Sequence, residues 1–141
     1  MKVALLCFSA MALSQSPAVG TLKVTIAQAR SNKGKVACAV YNSKEGFPSD
    51  PTKAIKSSAS EIHGDKAECS FSEVPKGTLA VSCYHDENGN GKLDTGLFGI
   101  PKEGVATSNN AKGRMGPPSF EDASFAFDGT EKQLLINLRY L

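Results

Sequence analysis

Apolar and polar residues alternate along this chain in a series of short runs, and each run predicts a strand with one buried face. The first covers Thr21 to Ile26, with Leu22, Val24 and Ile26 on one side and Thr21, Lys23 and Thr25 on the other. The alternation lapses at Ala27 and Gln28, and Ser31 to Gly34 reads as a turn. Lys35 to Asn42 resumes it, placing Val36, Cys38 and Val40 inward. Phe47, between Gly46 and Pro48, is expected to pin a loop to the core, and Lys53 to His63 is a weakly patterned strand. Ala67, Cys69 and Phe71 alternate up to the turn residues Pro75, Lys76 and Gly77, after which Leu79, Val81, Cys83 and His85 continue one face. From Asp86 to Ser119 no pattern returns. Phe120 to Phe127 recovers strand character through Ala123, Phe125 and Phe127, and Lys132 to Tyr140 is the clearest strand, with Leu134, Ile136, Leu138 and Tyr140 inward. About seven short strands without a helix or an internal repeat predict an all-β chain, a single antiparallel β-sandwich carrying one long ordered loop.

That loop is longer than the roughly 12 to 15 residues beyond which unstructured connections become uncommon. Something must order it: a cation, the apolar pegs Leu97, Phe98, Ile100 and Met115, or a partner. Phe98 and Phe120 are expected to fold back onto the sheet, while Asn109 to Arg114 is either a recognition surface or simply solvated.

The loop opens on DENGNGKLD, Asp86 to Asp94. Oxygen-bearing side chains at Asp86, Asn88 and Asn90, a turn at Gly91 and a returning carboxylate at Asp94 follow the first nine positions of an EF-hand loop, the pattern that gathers the oxygens calcium needs. The pattern fails at position twelve, where Leu97 replaces the bidentate Glu, and the flanks are strand-like rather than helical. The expected ligand set is Asp86, Asn88, Asn90 and Asp94 through side chains and Lys92 through its carbonyl. Glu103, or the more distant Glu121, would supply the missing carboxylate. The competing reading is a loop of Asx turns held by its own hydrogen bonds, with Lys92 and Lys102 neutralising its acids.

Met1 and Lys2, the apolar run Val3 to Leu13 and small residues at Ala12, Ser14 and Ala18 read as a secretory signal peptide over 1–18, cleaved between Ser14 and Gly20. This leaves 19–141 as one domain that is periplasmic or secreted. No run is long enough to span a bilayer, so the chain is expected not to be membrane-spanning. There are 16 basic and 14 acidic residues, and loss of Lys2 leaves a net charge of +1. The lysines are scattered without interleaved aromatics, which argues against nucleic acid as a partner.

Cys38, Cys69 and Cys83 survive processing, an odd count that predicts one disulfide and a leftover thiol, or three buried thiols. If the strands flanking Pro75 to Gly77 form a hairpin, Cys69 and Cys83 face each other. Catalysis is disfavoured. A hydrolase would need His85 with Asp86 and a nucleophile such as Ser108 or Ser119, but neighbours on a strand point to opposite faces. Neither a nucleophile elbow nor an HExxH pair is present. His85 is expected to be a half-buried cap on the core.

The run YHDENGNGKLDTGLFGIPKEG, the later SNNAKGRMGPPSFEDASF and a last strand ending at Tyr140 resemble the bacterial family described as domain of unknown function 2141. The resemblance spans nearly the whole chain after the leader. It implies a small exported sandwich, prealbumin-like or immunoglobulin-like in outline, and carries over no catalytic residue. The expected role is a non-catalytic binding or structural module of the cell envelope with a calcium-type loop, its partner an envelope protein or a small ligand. The runner-up is a prealbumin-like carrier of a small apolar ligand.

Overall fold

The computed structural model describes residues 18–141; the expected leader and its cleavage sites before Ala18 lie outside them. Eight strands form two sheets. The strands are β1 (Val19–Ala27), β2 (Lys35–Tyr41), β3 (Lys56–Glu61), β4 (Ala67–Pro75), β5 (Gly77–Asp86), β6 (Val105–Thr107), β7 (Phe125–Phe127) and β8 (Glu131–Asn137). One sheet runs β4-β1-β8 and the other β3-β2-β5-β6, with β7 also paired to β5. The inward residues of both sheets meet in one core, where Leu22, Val24, Ile26, Val36, Val40, Cys69, Val81 and Ile136 are almost wholly buried. Alternation along each strand produces this result, because successive side chains leave opposite faces of the pleat.

The all-β sandwich expected from the pattern is present, with four local differences. Strands β1 and β8 pair in parallel, Val24 opposite Leu134 and Ile26 opposite Ile136, whereas the other ladders are antiparallel. First and last strands need no short connection, so a parallel pairing is open to them. An eighth strand, β6, lies inside the long loop, where Ser82 to Tyr84 pair with Val105 to Thr107; three residues are too few to display a period. The segment from Phe120 begins as a one-turn helix, α1 (Phe120–Ala123), capped by Ser119, and becomes strand only at Phe125.

The fourth difference concerns the cysteines. Pro75 to Gly77 turn the chain from one sheet to the other, so β4 and β5 form no hairpin and Cys69 and Cys83 sit in different sheets. The disulfide instead joins Cys38 and Cys83, directly opposite on β2 and β5 with Cα atoms 4.1 Å apart. Cys69 is a free, buried thiol whose pKa is raised by burial. Phe47 is the expected anchor: half-buried, it packs edge-on against Tyr41 and Phe120, with ring centroids 5.3 and 5.9 Å away.

Candidate functional site

Strand β5 ends on His85 and Asp86, and the alternation of the strand sends their side chains to different places. Asp86 is buried at the mouth of the sheet, where Oδ1 accepts the Asn90 N–H at 3.2 Å and Oδ2 the Gly91 N–H at 2.9 Å. Asn88 Oδ1 accepts the same Asn90 N–H at 3.2 Å, and Asn90 Oδ1 accepts the Lys92 N–H at 3.1 Å. These bonds curl the backbone into a tight loop, which Gly89 and Gly91 permit by adopting φ of 69° and 76°. The loop closes at Asp94, whose two oxygens receive the Asn88 amide at 2.5 Å and the Asn90 amide at 2.8 Å. The Asn88 and Asn90 amides thus meet the Asp94 carboxylate, while Asp86 holds the backbone of the same turn. Among the described residues no three His, Cys, Asp or Glu side chains cluster in metal-holding geometry; half of the side chains converging here are amides.

Glu103 is the part of this arrangement that is hardest to see in sequence. It is buried, and its carboxylate ties both ends of the loop, Oε2 accepting the Glu87 N–H at 2.7 Å and Oε1 the Asp94 N–H at 3.0 Å. Between Asp94 and Glu103 the chain makes a small hairpin. Lys102 N–H donates to Asp94 O at 2.9 Å, Thr95 bridges Pro101, and Gly96 N–H donates to Ile100 O at 2.8 Å. Leu97, at the EF-hand's twelfth position, is therefore on the hairpin tip and 83% exposed. Phe98 does not fold back onto the sheet: it is 97% exposed, in the left-handed region at φ 58°. The hairpin is clamped at its base and its few residues are spent on the turn, so the tip projects away from the sandwich. Met115 is likewise fully exposed and is no peg.

Behind the loop His85 is fully, not half, buried. Its Nε2 lies 2.7 Å from Lys33 O, which can only accept, so Nε2 carries the proton and Nδ1 accepts from the Tyr140 hydroxyl at 2.8 Å. Arg30 N–H donates to the same hydroxyl at 3.0 Å, and the Arg30 guanidinium lies 4.5 Å from the Tyr140 ring centroid while pairing with Glu87. Gly104 lets the Tyr140 ring in, since a Cβ there would come within 2.6 Å of it. His85 and Asp86 form no dyad: the His85 nitrogens bond Tyr140 and Lys33, and each Asp86 oxygen accepts one loop N–H. Ser108 Oγ is buried between Val81 N–H at 2.9 Å and Ala123 O at 2.5 Å, and Ser119 caps α1.

Two carboxyls report on the loop's electrostatics. Hydrogen bonds from the Asn90 and Asn88 amides, helped by Lys92 and Lys102, hold Asp94 below its ordinary 3.8. Pairing with Arg30 holds Glu87 below its ordinary 4.5. A carboxyl depressed in the fold stabilises it fully above the ordinary value and loses that contribution as pH falls toward the folded pKa. Acidification below 4.5 and then 3.8 is therefore expected to loosen the loop before the core. Amide exchange at Asn90, Gly91 and Asp94 measures this directly; protection that persists unchanged to about pH 3 would refute it.

On the outer face of the larger sheet, beside the loop, lies a half-open groove of about 650 Å³. Ala37, Ala59 and Tyr84 line its sheet side, and Asn32, Lys35 and Asp86 lie at its edges.

A family profile matches residues 24–134, the stretch that holds most of both sheets, the loop and its Glu103 latch. The chain belongs to DUF2141. That family is described as an uncharacterized protein conserved in bacteria. Neither a curated protein nor a solved structure matches the chain. Within this DUF2141 member the sequence motif and the tertiary latch together form one unit: the DENGNGKLD turn supplies the oxygens, and Glu103 fixes the two ends from which they project. Arg30, Glu87, Tyr140 and the latching role of Glu103 escaped sequence reasoning because each depends on a contact across the fold, and no local spacing signals it.

Proposed function

We propose that this DUF2141 chain is an exported β-sandwich of the bacterial cell envelope that binds calcium in its Asp86–Asp94 loop and acts by binding rather than by catalysis. The observation that carries the reading is that Asp86, Asn88, Asn90 and Asp94 bond within one turn, the two amides meeting the Asp94 carboxylate and Asp86 holding the turn's backbone. The donors fit a hard cation. Each amide oxygen accepts one backbone N–H and keeps a lone pair, and so does each Asp86 oxygen. Asp86, Asn88, Asn90 and Asp94 would hold the ion through side chains and Lys92 through its carbonyl, with Glu103 at the base as the replacement for the missing Glu. Bound calcium would supply charge and cross-linking to the loop.

With two or three carboxylates and no preformed bidentate clamp, the expected dissociation constant is on the order of 10⁻⁴ to 10⁻³ M. Titration calorimetry at millimolar calcium should give heat, and calcium at ten times its dissociation constant should add about 1.4 kcal/mol of stability. Asp86→Ala should abolish both. Absence of any heat or thermal shift in the wild type would remove the reading. Export is supported by the leader pattern and by the Cys38–Cys83 bridge, which suits an oxidising compartment.

The groove beside the loop favours a second reading, carriage of a small ligand across the face formed by Ala37, Ala59 and Tyr84. Native mass spectrometry of protein purified from a bacterial envelope fraction tests it. A retained mass that disappears with Ala37→Arg supports carriage, and bare protein opposes it.

A further inference from the structure

Asn88 and Asn90 are each followed by glycine, and both steps lie in the exposed part of the loop. Every other Asn of the chain, at 32, 42, 109, 110 and 137, precedes a residue with a side chain. The difference matters chemically. A glycine nitrogen has no flanking Cβ to shield it, and the backbone about it turns freely. It can therefore reach the amide carbon of the preceding Asn side chain and close a five-membered ring.

The fold treats the two steps differently. Gly91 N–H donates to Oδ2 of the buried Asp86 at 2.9 Å. That carboxylate holds the proton and opposes the negative charge the nitrogen must acquire before it can attack. Gly89 N–H has no hydrogen-bond partner among the described residues, and a Cβ built on Gly89 meets no atom within 4 Å. The amide that this nitrogen would attack is also prepared. Asn88 Oδ1 accepts the Asn90 N–H at 3.2 Å, which polarises the side-chain carbonyl and steadies the charge that develops on its oxygen as the ring closes.

We infer that Asn88 is a site of spontaneous deamidation, and that Asp86 protects Asn90 from the same reaction while the protein is folded. The Gly89 nitrogen gives its proton to solvent and bonds to Asn88 Cγ. The bond from Cγ to Nδ2 then breaks, and Nδ2 leaves as ammonia with a proton taken from water. Water adds to the cyclic imide that remains. Opening its bond between nitrogen and Cγ yields aspartate, and opening its bond to the Asn88 backbone carbon yields isoaspartate. One water is consumed and one ammonia released, with no oxidant, metal or partner. The aspartate product puts a carboxylate where an amide donor stood. Asn88 Nδ2 donates to Asp94 Oδ2 at 2.5 Å, so that bond becomes a repulsion between carboxylates. Closure at Asp94 is left to the Asn90 amide, and the loop loosens irreversibly. The inference stands apart from the calcium reading above.

The test is incubation of the folded protein in chelator at mildly alkaline pH, followed by peptide mass mapping and assay of released ammonia, beside the same incubation in denaturant. The expected result is conversion of Asn88 to aspartate and isoaspartate in the folded protein, with Asn90 intact, and reaction at both positions in denaturant. Asn88→Gln keeps the amide donor but cannot close the five-membered ring, so it should retain the wild-type Tm and release no ammonia when folded. Asn88 left intact in the folded protein while both sites react in denaturant would overturn the proposal. Asn90 reacting as fast as Asn88 in the fold would overturn the protection by Asp86. Asn88→Asp reproduces one product and should lower the exchange protection of the Asn90 and Asp94 amides about threefold, the scale of one exposed charged contact; protection equal to wild type would overturn the loosening.

Discussion

Replacing Cys38 and Cys83 together with serine is expected to lower stability by about 4 kcal/mol, with a fall in Tm of roughly 15 °C. The bridge closes a loop with a sequence separation of 45, and the expected loss is the entropy that the unfolded chain regains when this constraint is cut. It also sits where the site depends on it. Cys38 and Cys83 pair in the same ladder that places Val36 opposite His85 and Lys35 opposite Asp86, so the strand that delivers the loop is the strand the bridge fixes. Thermal unfolding of the double variant against the oxidised wild type measures the effect, with Cys69→Ala as a control that leaves the bridge intact. A loss below about 1 kcal/mol would mean that strand pairing alone holds β2 to β5 and that the disulfide is incidental.

His85→Ala should cost about 3 kcal/mol, nearly as much, although no covalent bond is broken. The imidazole is fully buried, so its removal leaves a cavity, and it also strands the Lys33 carbonyl and leaves the Tyr140 hydroxyl with the Arg30 N–H alone. Tyr140→Phe removes only the hydroxyl and should cost about 1 to 2 kcal/mol, the penalty of an unsatisfied buried group. The order of the two losses is diagnostic. If His85 were a surface cap, both variants would fall within about 0.5 kcal/mol of wild type, as substitutions away from the core do. Because His85 immediately precedes Asp86, the alanine variant should also weaken calcium binding, whereas Tyr140→Phe should leave it nearly intact.

The division between what was legible and what was not follows the range of the interactions. Alternation over Thr21 to Ile26, Lys35 to Asn42 and Lys132 to Tyr140 identifies the buried faces correctly, because burial on a strand is a period-two property of a few consecutive residues. The oxygen-rich turn is legible for the same reason: Asp86, Asn88, Asn90, Gly91 and Asp94 bond to one another within nine positions. The strand β6 and the helix α1 are too short to carry a period, so the sequence from Asp86 to Ala123 hides them.

By itself, then, the order of residues determined the all-β class, the inward set and the turn at Asp86, each written in spacings of two to eight positions. Tertiary structure alone decided that Cys38 rather than Cys69 joins Cys83, since the turn at Pro75 to Gly77 changes sheets instead of closing a hairpin. It alone decided that Glu103 latches the loop, that His85 and Tyr140 share a hydrogen bond, and that Phe98 faces water. Each of these outcomes depends on how distant strands are set beside one another, and a pattern of neighbouring residues contains no record of that placement.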